Sequence, residues 1–129
     1  MTTDLSMLAW TAGLTIVLWL PYIVAHIGNV GFMPALTYQA DDIPLPDWAG
    51  RAKKAHANAV ANLAPFAALV IVAHIAGAAN EATAAAAIAF FWARVAHYPL
   101  YILNVPFART TTFTICWLAM VCIFWQIVT

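Results

Sequence analysis

The sequence predicts an all-α integral membrane protein, an up-down-up-down bundle of four transmembrane helices, and three observations predict it. First, 65% of the 129 residues are hydrophobic and 8% are charged, at a mean hydropathy of +0.86. A soluble domain carries about a quarter charged residues, so this apolar excess must face lipid. Second, charges punctuate the chain: none falls between Asp4 and Asp41, which leaves an apolar stretch long enough for the ~30 Å hydrocarbon core. Third, the later apolar stretches are joined by short turns, which force antiparallel neighbours. The length limits the chain to one domain.

The first span covers about 5–27. Its leading residues hold Asp4 and no lysine or arginine, and the apolar run lasts roughly 20 residues, so it reads as a retained helix and not a signal peptide. Pro21 lies inside it; a kink is tolerable where a neighbouring helix covers the freed carbonyl. Residues 28–50 read as an irregular, wet connection holding Gly31, Pro34, Pro44, Pro46, Asp41, Asp42 and Asp47. A second span covers about 52–76 and is closed by Gly77; a turn through Asn80 and Glu81 leads to a third at about 82–103. Pro106 then breaks the chain before a fourth span at about 108–127. Ala82 and Ala84 to Ala87 open the third helix, and such small residues let backbones approach closely, within the bundle or between subunits.

Arg51, Lys53, Lys54 and Arg109 all fall at the face carrying the first and third connections. The positive-inside rule makes that face cytoplasmic and puts both termini outside. Net charge is zero, so no basic surface recruits nucleic acid. Cys116 and Cys122 lie six apart on one helix, point in different directions, and read as packing residues. The six tryptophans read as belt or lipid-facing side chains. Of the four histidines, His26, His56 and His97 fall toward the cytoplasmic end and His74 toward the other. No ligand spacing suggests a metal.

Polar residues inside the spans need partners. The second span carries Arg51, Lys54, Asn58 and Asn62 along one helix face, and the third carries Arg94, His97, Tyr98 and Tyr101 along another. Counting inward from the cytoplasmic ends, Asn58 and Asn62 lie about 9 and 15 Å deep, His97 about 9 Å and Arg94 about 13 Å. The two stripes are level and can face each other across a polar pocket. Arg94 cannot discharge itself, and every acidic residue lies outside the spans. Asn58, Asn62 and a carbonyl beside Pro99 are its neutral acceptors; a bound carboxylate or thiolate suits it best. The same residues also permit a structural reading, with Arg94 bonded to its neighbours, the asparagines as interhelical glue and the tyrosines as interfacial aromatics.

The stretch RAKKAHANAVANLAPF at 51–66 resembles the second-helix signature of the MAPEG family, the membrane-associated proteins of eicosanoid and glutathione metabolism. The stretch ARVAHYPLY at 93–101, continuing through Val105, Pro106 and Arg109, is similar to its third helix and the start of its fourth. The nearest resemblance is to short bacterial members, which implies an inner-membrane location. It also implies a homotrimer with glutathione as co-substrate, bound between subunits near the cytoplasmic face. Arg51, Lys54, His56, Asn58, Arg94 and Tyr101 fall on or beside positions that contact glutathione in that family. Asn62 and His97 complete the expected ligand-binding set, and Arg109 falls on the position that stabilises the thiolate. Arg109 and Tyr101 are therefore the expected catalytic pair. One position departs: the family usually has a glutamate three residues after the asparagine, and here that residue is Ala61.

The implied activity is a glutathione-dependent transferase or peroxidase acting on lipophilic electrophiles from the bilayer. The alternatives are a non-catalytic membrane protein binding a lipid or anionic ligand, and an accessory subunit of a membrane complex.

Overall fold

The computed structural model describes residues 1–37 and 43–129, so Asp41 and Asp42 lie outside the described residues. The described residues are helical, in the order α1 (Thr3–Val17), α2 (Leu20–Val30), α3 (Phe32–Leu36), α4 (Asp47–Ile75), α5 (Glu81–Ile102) and α6 (Ala108–Val128). Three segments are long and apolar enough to cross a membrane: Thr3–Val30, Asp47–Ile75 and Ala108–Val128. With 22 residues α5 is long enough as well, but Arg94, His97 and Tyr98 lower its hydropathy.

The first apolar segment is interrupted where one continuous helix was expected. The break lies at Leu18 and Trp19, just before Pro21, because proline has no N–H to give the preceding turn and its ring crowds that turn's carbonyl. Tyr98 of α5 donates its hydroxyl to the Leu18 carbonyl at 2.8 Å, so a neighbouring helix covers backbone oxygen at the interruption. Among its described residues, the connection expected at 28–50 is partly helical. Residues 28–30 continue α2, α3 adds a further turn, and residues 47–50 already belong to α4. Gly31 separates α2 from α3 at φ 94°, a backbone state that glycine reaches without a Cβ clash.

The other helix ends follow their local chemistry. Gly77 at φ 69° terminates α4; its N–H meets the His74 carbonyl, and the N–H of Ala78 meets that of Ala73, the pairing that satisfies orphan carbonyls at a helix end. Asn80 and Thr83 form a reciprocal capping box at the start of α5. The Asn80 amide also donates to the Gln126 side chain at 2.7 Å, tying that start to the end of α6. Asn104, at φ 56°, ends α5 with the same carbonyl pairing that Gly77 gives α4.

Helix α5 packs against α1, α4 and α6, and α4 also packs against α1 and α6. The apolar core fills one half of this assembly. Phe66 of α4 stacks on Phe90 of α5 with centroids 3.8 Å apart, surrounded by Val70, Ala73, Ala86, Ala87, Cys116 and Ile123. Small alanines on α5 are what admit such close approach where lipid supplies no hydrophobic drive. Both cysteines are free thiols. All six tryptophans point outward, the least exposed being Trp19 at 41%.

Candidate functional site

The polar half of the molecule gathers where α4 begins, α5 ends and α6 begins. Helix α5 sends Arg94 inward, and only 3% of that side chain is exposed. Its Nη1 and Nη2 both donate to one oxygen, Asn58 Oδ1 on α4, each at 2.9 Å. Asn62 sits one turn beyond; its amide donates to the Asn58 carbonyl at 2.9 Å and, at 3.4 Å, to the same Oδ1. Asn62 therefore orients Asn58 and does not meet the guanidinium. Three donors converge on a neutral oxygen, and Nε of Arg94 is buried without a partner. No acidic side chain among the described residues bonds to the guanidinium, so a buried charge is held by neutral oxygen alone.

One turn along α5 from Arg94, His97 is 3% exposed, and its ring centroid lies 5.5 Å from that of Tyr101. Arg109, at the start of α6, places its guanidinium carbon 5.2 Å from the Tyr101 ring centroid, a cation–π arrangement that fixes a mobile side chain. Asn58, His97, Tyr101 and Arg109, joined by Thr110 and Phe113, line an open cavity of about 290 Å³. Thr110 and Phe113 are the residues the sequence reading missed. Their signal was present, since they follow Arg109 by one and four positions on one turn of a helix.

The start of α6 adds to the positive field. Its N-cap is Phe107, held at φ 68°, with no side-chain cap on the first-turn N–H groups. Such groups, with the helix dipole, favour an anion. An arginine in that turn runs against the dipole, so Arg109 and the helix start together make this wall strongly electropositive.

The single face expected for Arg94, His97, Tyr98 and Tyr101 divides in the structure. Tyr98 turns to the Leu18 carbonyl, leaving the other three around Asn58 and the cavity. Arg51, Lys54 and His56 are placed outside it. Arg51 Nε donates to the Ile102 carbonyl at 2.7 Å, neutralising the carbonyl-rich end of α5. His56 Nδ1 meets the Tyr22 hydroxyl at 2.9 Å, toward α2. Lys54 lines a separate cavity of about 520 Å³ with Lys53, Ala57 and residues 43–45. Helical rotation explains the split: a stripe of four residues spread over 51–62 wraps enough that its members meet different neighbours, and His56, two positions from Asn58, points away from it. Among the described residues no group of three or more histidine, cysteine or acidic side chains is placed to hold a metal.

A sequence model of the MAPEG family matches residues 7–129, nearly the whole chain. No curated protein and no solved structure matches it.

Proposed function

The chain belongs to the MAPEG family, and from that premise we propose a thiol-dependent transferase or peroxidase that acts on lipophilic electrophiles arriving through the bilayer. Glutathione is the thiol that membership suggests. The observation that carries the reading is the convergence of Arg109, Tyr101, His97 and Asn58 on one cavity, with the buried Arg94 behind Asn58. In this reading α5 also crosses the membrane, making four spans in all, the subunits associate as a homotrimer, and the end carrying Arg109 faces the cytoplasm.

The chemistry follows from the charges. A thiol near guanidinium groups and an uncapped helix start ionises more readily. Its proton leaves to water, and the thiolate sulfur forms a bond to the electrophilic carbon as the leaving group departs. Arg109 stabilises the thiolate, while Tyr101 holds Arg109 and offers its own hydroxyl. Arg94, fixed by Asn58, draws the ligand's carboxylate toward the inner wall. Arg51, Lys54 and His56 contribute to ligand capture only from a neighbouring subunit or after rearrangement.

A second reading has its own observation. Asn58 already satisfies both terminal nitrogens of Arg94, which suits a non-catalytic protein that binds an anionic ligand or serves as an accessory subunit. Titrating the purified protein with glutathione separates the two. Appearance of thiolate absorbance together with a raised unfolding temperature supports the enzyme; no response at millimolar glutathione removes it. A trimeric mass in detergent tests the assembly independently.

A further inference from the structure

We propose that the chain carries a second site, formed by Tyr22, His26 and Lys53 between α2, α3 and the start of α4, that holds the phosphate of an anionic phospholipid. It shares no lining residue with the cavity of Arg109 and stands whether or not that cavity serves a thiol.

Local structure brings the three side chains together. Tyr22 and His26 are four residues apart on α2 and share one face of it. Lys53 and His56 are three apart on α4, and the His56 Nδ1 that meets the Tyr22 hydroxyl at 2.9 Å turns that side of α4 toward α2. Tyr22, His26 and Lys53 line one cavity of about 230 Å³, whose remaining wall is apolar and comes from α2, α3, Ile43 and Leu45. The Nδ1 of His26 is buried with no partner among the described residues. A ring nitrogen shut away from water costs free energy until something bonds to it.

The lining fits an oxyanion. Lys53 brings a full positive charge and three N–H donors, His26 Nδ1 donates in one of its two neutral tautomers, and the Tyr22 hydroxyl lies in the same cavity. A phosphate group accepts several such donors at once, most strongly from a charged one. The adjoining surface suits a lipid as the source of that phosphate. Phe32, Met33 and Leu36 are 61 to 65% exposed on α3, the short helix whose Ala35 lines the cavity, so acyl chains have apolar side chains to lie against. Basic pockets between helices at a membrane surface take anionic headgroups in this way.

The test titrates the full chain in detergent with dioleoyl phosphatidylglycerol, dioleoyl phosphatidylcholine or inorganic phosphate and follows the unfolding temperature. Phosphatidylglycerol is expected to bind about tenfold more tightly than phosphatidylcholine, and inorganic phosphate at millimolar concentration is expected to leave the unfolding temperature unchanged. Equal affinity for the two lipids overturns the proposal, and a shift with inorganic phosphate overturns the lipid as the source of the anion. Lys53→Gln and Lys54→Gln remove the same charge from adjacent exposed positions, so they separate a built site from general attraction to an anionic surface. Lys53→Gln is expected to weaken phosphatidylglycerol about tenfold and Lys54→Gln less than about twofold; equal losses overturn the proposal. His26→Leu removes the buried nitrogen and is expected to weaken the same lipid about tenfold; unchanged affinity in a folded variant counts against the site. The unfolding temperature without lipid reports whether that variant has folded, and the paired lysine variants decide the matter if it has not.

Discussion

Asn58 and Arg94 sit 36 positions apart in the chain and meet through two hydrogen bonds of equal length, both ending on one amide oxygen. A full positive charge is thereby held in the interior by a neutral acceptor. The stability of that buried charge rests on this pairing.

Replacing Asn58 by leucine leaves the guanidinium buried with no acceptor. Stranding a charged donor costs about 3 kcal/mol or more, so Asn58→Leu should lower the thermal unfolding midpoint sharply in detergent. Asn58→Asp should have the opposite sign for stability and should weaken anion binding, since Arg94 then carries its own counter-charge. Thermal unfolding with and without ligand measures both effects.

Tyr101 and Arg109 can be separated by a conservative series. Tyr101→Phe keeps the ring under the guanidinium and should retain thiolate absorbance with glutathione. Tyr101→Leu removes a contact worth about 0.5–2 kcal/mol and should weaken it roughly tenfold, and Arg109→Ala should abolish it. Loss in the phenylalanine variant would instead identify the hydroxyl as the working group.

The Tyr98 hydroxyl covers the Leu18 carbonyl at the break in the first apolar segment. Membrane side-chain hydrogen bonds contribute about 0.6 kcal/mol on average, so Tyr98→Phe should destabilise the chain by less than about 1 kcal/mol. The loss should appear as faster amide exchange confined to residues near the break. Uniform acceleration across all helices would refute a local role.

Phe107 occupies a left-handed conformation at φ 68° with 84% of its side chain exposed. That region costs an L-residue about 1–2 kcal/mol, and asparagine tolerates it best among residues with a Cβ. Phe107→Asn should therefore raise the unfolding midpoint by relieving strain at little packing cost. Unfolding temperatures of the two proteins, compared in the same detergent, check it.

Much of this was legible in the residues themselves. Gly77 closes α4, Asn80 opens α5, and the α4 and α5 stripes that the depth count made level do meet, although Arg94 bonds Asn58 where the count put it nearer the depth of Asn62. Periodicity was less able to say what each polar side chain touches. Arg51 and Tyr98 share stripes with the cavity residues, and His56 was expected to bind ligand with them, yet each bonds elsewhere, to Ile102, Leu18 and Tyr22.

Composition alone determined that this chain lives in a membrane as packed helices, because backbone groups in lipid must bond within their own segment. Proline, glycine and asparagine likewise determined where helices stop, since those signals act over a few neighbouring residues. The tertiary structure decided the partners of the buried polar groups. A side chain's spacing fixes only its bearing around its own helix, and which neighbour stands there depends on how the helices rotate and cross. That rotation gave Arg94 to Asn58, put Arg109 over Tyr101, and brought Thr110 and Phe113 to the cavity wall.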